Sequence, residues 1–377
     1  MPNLFDYLSW RGDLSFSQSP FNPVDNIILS QLSYLPFNDI VPGHGHKEGI
    51  SIALASKLFH EKMQQDENFR SNVMFKNDPA LISALGSSRR FDSCHLSGYV
   101  NYIDTEKEVQ FSAICVFTGD GQCTVIFRGT DFTLVGWKED FNMSFNDVIP
   151  AQIEAVKYLE QIASMTTGPL RLCGHSKGGN LAVYAASHAS KNIQKRIGEI
   201  YSNDAPGFHV SVIESEGFSA IKNRIRSFVP QSSVVGMFFE QGCGYKVIKS
   251  SKIGLMQHEL YSWEVSHNDM IQVDEVTLVS RFVSKTLHDW LNTLPVEKRG
   301  QFIDAVYDTL SSSEAKSLPE LEESWLNSTG RIFKFLSNMD KSKRRLMREA
   351  MIELIRSASH NVTAFLKPPE DAAPHRQ

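Results

Sequence analysis

The chain has 377 residues, 41% of them apolar and 21% charged, with a formal net charge of -5. That length allows one large core or two smaller ones, and the mildly acidic balance excludes a nucleic-acid grip built on a general positive field. Met1 to Tyr7 hold neither a basic run nor a long apolar one, and nothing later approaches the ~18 apolar residues of a membrane span, so a soluble, cytoplasmic protein without a transmembrane segment is expected. Five cysteines, Cys94, Cys115, Cys123, Cys173 and Cys243, lack C-x-x-C spacing and read as reduced, buried thiols rather than a disulfide framework or a zinc site.

Residues 1–90 open with turn-rich Trp10-Arg11-Gly12-Asp13 and Pro20-Phe21-Asn22-Pro23 and then turn helical. Asp25 is the expected cap of a helix carrying Ile27, Ile28, Leu29, Leu32, Tyr34 and Leu35. Further helical patterning covers Ile50 to Asp66 and Pro79 to Leu85, so this stretch is expected to be an α-rich region packed on a core formed by residues 91–265.

Within that core the pattern predicts strands at Leu96 to Ile103, Val109 to Phe117 and Cys123 to Arg128, the last two joined by Thr118-Gly119-Asp120-Gly121 as an antiparallel hairpin. Helix Ala151 to Met165, strand Leu170 to Cys173, helix Gly178 to His188, and strands Glu199 to Ser202, Arg226 to Val229 and Tyr245 to Ser250 follow. This order predicts an α/β fold with a mainly parallel central sheet, an antiparallel edge hairpin, and helical N- and C-terminal additions. Residues 266–377 read as a helical extension, with helices at Val276 to Leu294 and Lys298 to Leu310 and a last amphipathic one opened by Lys341-Ser342-Lys343-Arg344-Arg345. Asp340 and Glu349 beside that basic run point to a solvated helix face, and Pro368 to Gln377 is expected to be a disordered tail.

The chemistry-bearing segment is Gly174-His175-Ser176-Lys177-Gly178-Gly179, a serine between a short apolar strand and a small-residue helix. Glycines two before and two after Ser176 remove Cβ atoms where strand and helix cross, as a nucleophile elbow requires. An ordinary helix-capping serine is the competing reading. Phe127-Arg128-Gly129-Thr130-Asp131 followed by Gly136-Trp137-Lys138-Glu139-Asp140 is the second landmark. These segments resemble the F-R-G-T and W-x-x-D stretches of class 3 lipases. With Phe5-Asp6-Tyr7-Leu8-Ser9-Trp10-Arg11-Gly12-Asp13, the chain is similar to members of the bacterial Mbeg1-like family, which is related to those lipases. The lipase-like part covers roughly residues 90 to 265, and the resemblance implies an α/β-hydrolase fold.

Chain order in such hydrolases runs Ser, acid, His, so the base is sought after Ser176. His258, beyond the last strand-like run, is the choice over His209 and His267. The segment Pro230 to Gly236, where an acid would usually stand, contains no carboxylate, a departure from the lipase pattern. Asp204 after the preceding strand is the candidate acid; it can equally cap the turn Ala205-Pro206-Gly207, leaving Ser232 or Ser233 to orient the histidine, or a dyad. The backbone N–H groups of Thr130 and Lys177 are the candidate oxyanion hole, the role of Thr130 being implied by the resemblance, while Thr130 as a turn cap is the plainer alternative. Asp140 reads as structural. Val234 to Phe239 can line an acyl pocket, form a lid or belong to the core.

His44-Gly45-His46 lacks the companions a metal pair needs and is expected to face solvent; neither metal nor cofactor is anticipated. The function implied is hydrolysis of a small or lipid-like carboxylic ester through an acyl-enzyme on Ser176. A thioesterase or acyltransferase, or a catalytically silent hydrolase fold serving as a binding scaffold, stands as the alternative.

Overall fold

Strands buried on both faces, nearly continuously so along Val109–Phe117, Cys123–Phe127 and Leu170–His175, build a nine-stranded sheet in the computed structural model, which describes residues 1–43, 49–131, 133–143, 146–311 and 340–366. The order is β1 (Ile50–Ser51), β2 (His95–Asp104), β3 (Val109–Phe117), β4 (Cys123–Phe127), β5 (Leu170–His175), β6 (Ile197–Asn203), β7 (Ile225–Pro230) and β8 (Tyr245–Ile248). A separate hairpin of β9 (Val265–Ser266) and β10 (Asp269–Met270) precedes β11 (Gln272–Val273), which closes the sheet beside β8. Strands β4 to β8 are parallel, whereas β1 to β4 and the β8–β11 pair are antiparallel. This is an α/β-hydrolase fold with a parallel centre. Its edge is antiparallel on both sides rather than one, because the stretch from Val265, read as entering helix, first supplies β9 to β11.

Successive side chains leave a strand on opposite faces, and the two cores divide accordingly. Ile114, Val116, Ile126 and Cys173 join the cluster beneath α1 (Leu4–Arg11), α2 (Pro23–Leu32), α3 (Ile52–Gln65), α4 (Glu67–Ser71) and α5 (Asp78–Ser87). Phe111, Ala113, Cys115, Val125 and Leu172 face the other cluster, with α7 (Pro150–Met165), α8 (Lys177–His188) and α11 (Glu216–Ile221). Helix α6 (Leu134–Asn142) follows β4; α9 (Lys191–Arg196) and α10 (Val210–Ile213) sit on the connections around β6. Each fully buried aliphatic side chain in these layers contributes about 1.5–3 kcal/mol relative to exposure.

Three local readings need correction. Asn22, not Asp25, caps α2: its side chain accepts from the Val24 and Asp25 N–H groups, and Asp25 at the third helical position bonds back to the Asn22 N–H, a capping box. The turn-rich opening contains α1, which Asn3 and Asp6 cap in the same reciprocal way. Helix α6 lies in a stretch that carries no helical periodicity; Thr133 starts it by accepting from the Gly136 N–H.

Asp78 ties the helical layer to the loop after β8. Its Oδ1 accepts from Gln31 Nε2 at 2.9 Å and Tyr261 Oη at 2.8 Å, and its Oδ2 accepts from the Phe75 N–H at 3.2 Å. Burial pushes its carboxyl up to about 6 despite these donors. Because the folded chain then holds this proton to higher pH than the unfolded one, the Asp78 contribution to stability falls as pH rises from about 4 to about 6. Urea unfolding of Asp78→Asn is expected to show a constant offset from the lost acceptor and to lack that slope. The wild-type minus variant difference should shrink by up to about 3 kcal/mol between pH 4 and pH 7; a difference that does not change with pH would refute it.

Residues Met1–Val276 form one unit and Thr277–Gln377 a second. In the second, α12 (Leu278–Thr293), α13 (Val296–Ser311) and α14 (Lys341–Leu366) are joined by Trp290 Nε1 donating to the Ala350 carbonyl at 2.8 Å and by Lys298 pairing with Glu349 at 3.0 Å. Arg345 also meets Glu349, so part of the basic run is neutralised locally. Among the described residues no helix is long and apolar enough to cross a membrane. The tail after Pro368 lies outside the described residues.

Candidate active site

Strand β5 runs into α8 through Ser176, whose φ of 58° and ψ of -134° place a non-glycine residue in sparsely populated backbone space. Holding it there costs on the order of 1–3 kcal/mol. What imposes it is close packing. A Cβ on Gly178 would lie 2.0 Å from the Phe127 carbonyl oxygen, and one on Gly174 would lie 2.2 Å from the Gly178 carbonyl oxygen. The Ser176 N–H donates to the Asn203 carbonyl at 2.9 Å, and its carbonyl accepts from the Gly179 N–H at 3.0 Å. The side chain is partly exposed at the carboxyl end of the parallel strands, where open α/β sheets bind ligands.

Asp204, immediately after β6, also has a positive φ of 44° and is almost fully buried. Its Oδ2 lies 2.6 Å from His258 Nδ1. Its Oδ1 accepts from Ser233 Oγ at 2.5 Å and from the Gly236 N–H at 3.0 Å. Ser233 thus braces the Asp204 carboxylate. With Nδ1–H facing a carboxylate, the neutral His258 ring presents an Nε2 lone pair. Among the described residues no hydrogen bond joins His258 to the Ser176 hydroxyl in this conformation, as is common before substrate binds. The rival histidines are elsewhere: His209 Nε2 bonds the Met143 carbonyl at 2.9 Å, and His267 turns the chain between β9 and β10.

On the other side of Ser176, the end of β4 passes directly overhead. A Cβ on Gly129 would come within 3.0 Å of Ser176 Cβ. Thr130 follows, its Oγ1 donating to both Asp140 oxygens at 2.7 and 2.6 Å. Burial pushes the Asp140 carboxyl up to about 6, against the pull of Lys177, whose Nζ is 3.8 Å away. Lys177 opens α8, where the first N–H groups have no acceptor within the helix. Its side chain turns inward, Nζ donating to Glu139 Oε2 at 2.7 Å and to the Gln110 carbonyl and Oε1 at 3.0 and 2.8 Å. Neither Lys177 nor Glu139 reaches solvent. Arg128 bonds Asp131, which accepts from the Thr133 N–H, so the turn after Thr130 is braced as well.

Met143, Ile149, Phe208, His209, Val212 and Phe239 line a narrow cleft beside the ends of β6 and β7. Phe238 and Phe239 are half-buried, their rings 4.5 Å apart. Among the described residues no group of three or more His, Cys, Asp or Glu side chains could hold a metal ion; His44 and His46 lie outside the described residues.

A model of the Mbeg1-like family matches residues 85–308, more than half of the chain. The chain belongs to the Mbeg1-like family. Its segments Phe127–Asp131 and Gly174–Gly179, and the Asp204–His258 pair, all fall inside the matched region. The crystal structure of M37 lipase is similar at 15% identity, covering 56% of this chain and 69% of that one with a TM-score of 0.35. Among curated proteins none matches this family member.

His175 and Tyr34 were missed as site residues. Tyr34 Oη lies 2.8 Å from His175 Nδ1, and His175 Nε2 lies 2.7 Å from the His258 carbonyl oxygen. Periodicity places Tyr34 on the apolar stripe of the α2 region, but the helix ends at Leu32. The one local signal for His175 is its place immediately before the elbow serine.

Proposed function

We propose that this protein is a serine hydrolase that cleaves a carboxylic ester through an acyl-enzyme on Ser176. The observation carrying the reading is the 2.6 Å contact of Asp204 with His258 on the face where Ser176 is held in a strained turn. A serine hydroxyl at its ordinary pKa is a weak nucleophile and needs a base with a free lone pair. His258 Nε2 takes the Ser176 proton as Oγ attacks the carbonyl carbon, and Asp204 stabilises the imidazolium that forms. The N–H groups of Thr130 and Lys177 hold the negative oxygen of the tetrahedral intermediate. His258 then protonates the leaving alcohol and activates the water that frees the acid.

Labelling with a fluorophosphonate probe tests the reading. Wild type should react, and Ser176→Ala and His258→Ala should not; a folded wild type that stays unlabelled would return the scaffold alternative. Asp140 supplies a further expectation, because it holds the Thr130 hydroxyl and with it the backbone of one oxyanion donor. Asp140→Ala should lower kcat toward a short p-nitrophenyl ester by about 10- to 100-fold with little change in KM. An unaltered kcat would remove Thr130 from the oxyanion hole.

A further inference from the structure

The acceptor of His175 is a backbone carbonyl, which leaves no choice of hydrogen. A carbonyl oxygen only accepts, so His175 Nε2 must carry the proton that meets His258 O at 2.7 Å. A neutral ring protonated there has a lone pair on Nδ1, and the Tyr34 hydroxyl donates to it at 2.8 Å. Burial, and the neighbouring His258, push the His175 imidazole well below the ordinary histidine range, so the neutral form this pattern requires is the one present near pH 7. The His175 and His258 ring centroids are 4.3 Å apart, so the side chain that grips the His258 backbone also covers one side of its ring.

Tyr34 comes from the helical N-terminal region, is buried, and sits with its hydroxyl against Gly129, where an added Cβ would fall 2.2 Å from it. One hydrogen-bonded chain therefore starts outside the strands, passes through the residue before the nucleophile, and ends on the loop bearing the base. Other ties of that loop lie on its neighbouring residues: Gln257 Oε1 accepts from the Ser232 N–H, Gln257 Nε2 donates to the Lys252 carbonyl, and Trp263 Nε1 donates to the Gln257 carbonyl. At residue 258 itself, Asp204 holds the ring and His175 holds the main chain.

We propose that His175 is a positioning residue for His258, kept in its Nε2–H tautomer by Tyr34, and that the N-terminal helical region thereby sets the geometry of the reacting histidine. The proposal rests on the reading of His258 as the base, so its test pairs a readout of geometry with one of reactivity. Hydrogen–deuterium exchange over residues 251–259 reports the first, and the rate constant of fluorophosphonate labelling the second.

His175→Met keeps much of the volume and removes the donor, and should raise exchange in that segment and slow labelling by about 10- to 100-fold, the upper end being the scale of an ångström-sized misplacement. His175→Gln can place an amide N–H on the same carbonyl and should restore most of both. Tyr34→Phe keeps the ring and frees the tautomer, and should fall between them, which preserves the test if the Met variant folds poorly. Wild-type behaviour of Tyr34→Phe and His175→Met in both readouts, or equal losses in the Gln and Met variants, would overturn the proposal. If wild type is never labelled but exchange still rises in the Met variant and recovers in the Gln variant, the positioning tie stands and the hydrolase reading falls.

Discussion

Asp204→Asn is expected to lower kcat/KM toward a short ester by about 10³- to 10⁴-fold while leaving the fold intact, the scale seen when a triad carboxylate is made an amide. The reason lies in how the two oxygens are shared. Oδ1 already receives the Ser233 hydroxyl and the Gly236 N–H, so an asparagine there keeps its carbonyl oxygen toward those donors. Its NH₂ then faces His258 Nδ1, the ring must accept at that nitrogen, and the proton moves to Nε2. A histidine protonated at Nε2 has no lone pair for the Ser176 proton. Steady-state kinetics with circular dichroism as the fold control would measure this, and a loss under about tenfold would take Asp204 out of the proposed triad.

Glu139→Gln is expected to destabilise the chain by about 3–5 kcal/mol, the cost of breaking a buried ion pair on one side. The Lys177 ammonium and the Glu139 carboxylate are both sealed from water. Glu139 Oε1 also accepts from the Ala151 N–H at 2.9 Å and Oε2 from the Gln110 N–H at 3.2 Å. A glutamine preserves one acceptor, presents an NH₂ where another donor already stands, and leaves the ammonium with Gln110 and the more distant Asp140 carboxylate, 3.8 Å away. Adding Lys177→Met should recover part of the loss, because the buried ammonium that has lost its close carboxylate is then gone. Urea unfolding of both single variants and the double would measure the coupling. Strictly additive losses would show that the pair does not act as a unit.

The same pair shows why part of the site was legible and part was not. Lys177 was read for its backbone N–H at the start of α8, a local property of the strand–turn–helix pattern. That its side chain runs inward to Glu139 and Gln110 depends on β3 and α6 meeting under the elbow, and no spacing along the chain records that. Asp204 was open between a turn cap and an acid for a related reason. Its positive φ suits a turn, yet its carboxylate reaches a histidine 54 residues away.

Sequence alone determined what short-range physics controls: the elbow around Ser176, the hairpin of β3 and β4, the alternation of strands and helices, and the parallel centre these imply. Glycine placement and side-chain periodicity act over a few residues and are visible one segment at a time. Only the tertiary structure decided which groups meet: Asp204 with His258, Thr130 with Asp140, Asp78 with Tyr261, and Tyr34 with His175. Those contacts join elements brought together by the packing of two cores on one sheet. Buried polar groups must find partners across that packing, and where they find them is a property of the assembled layers.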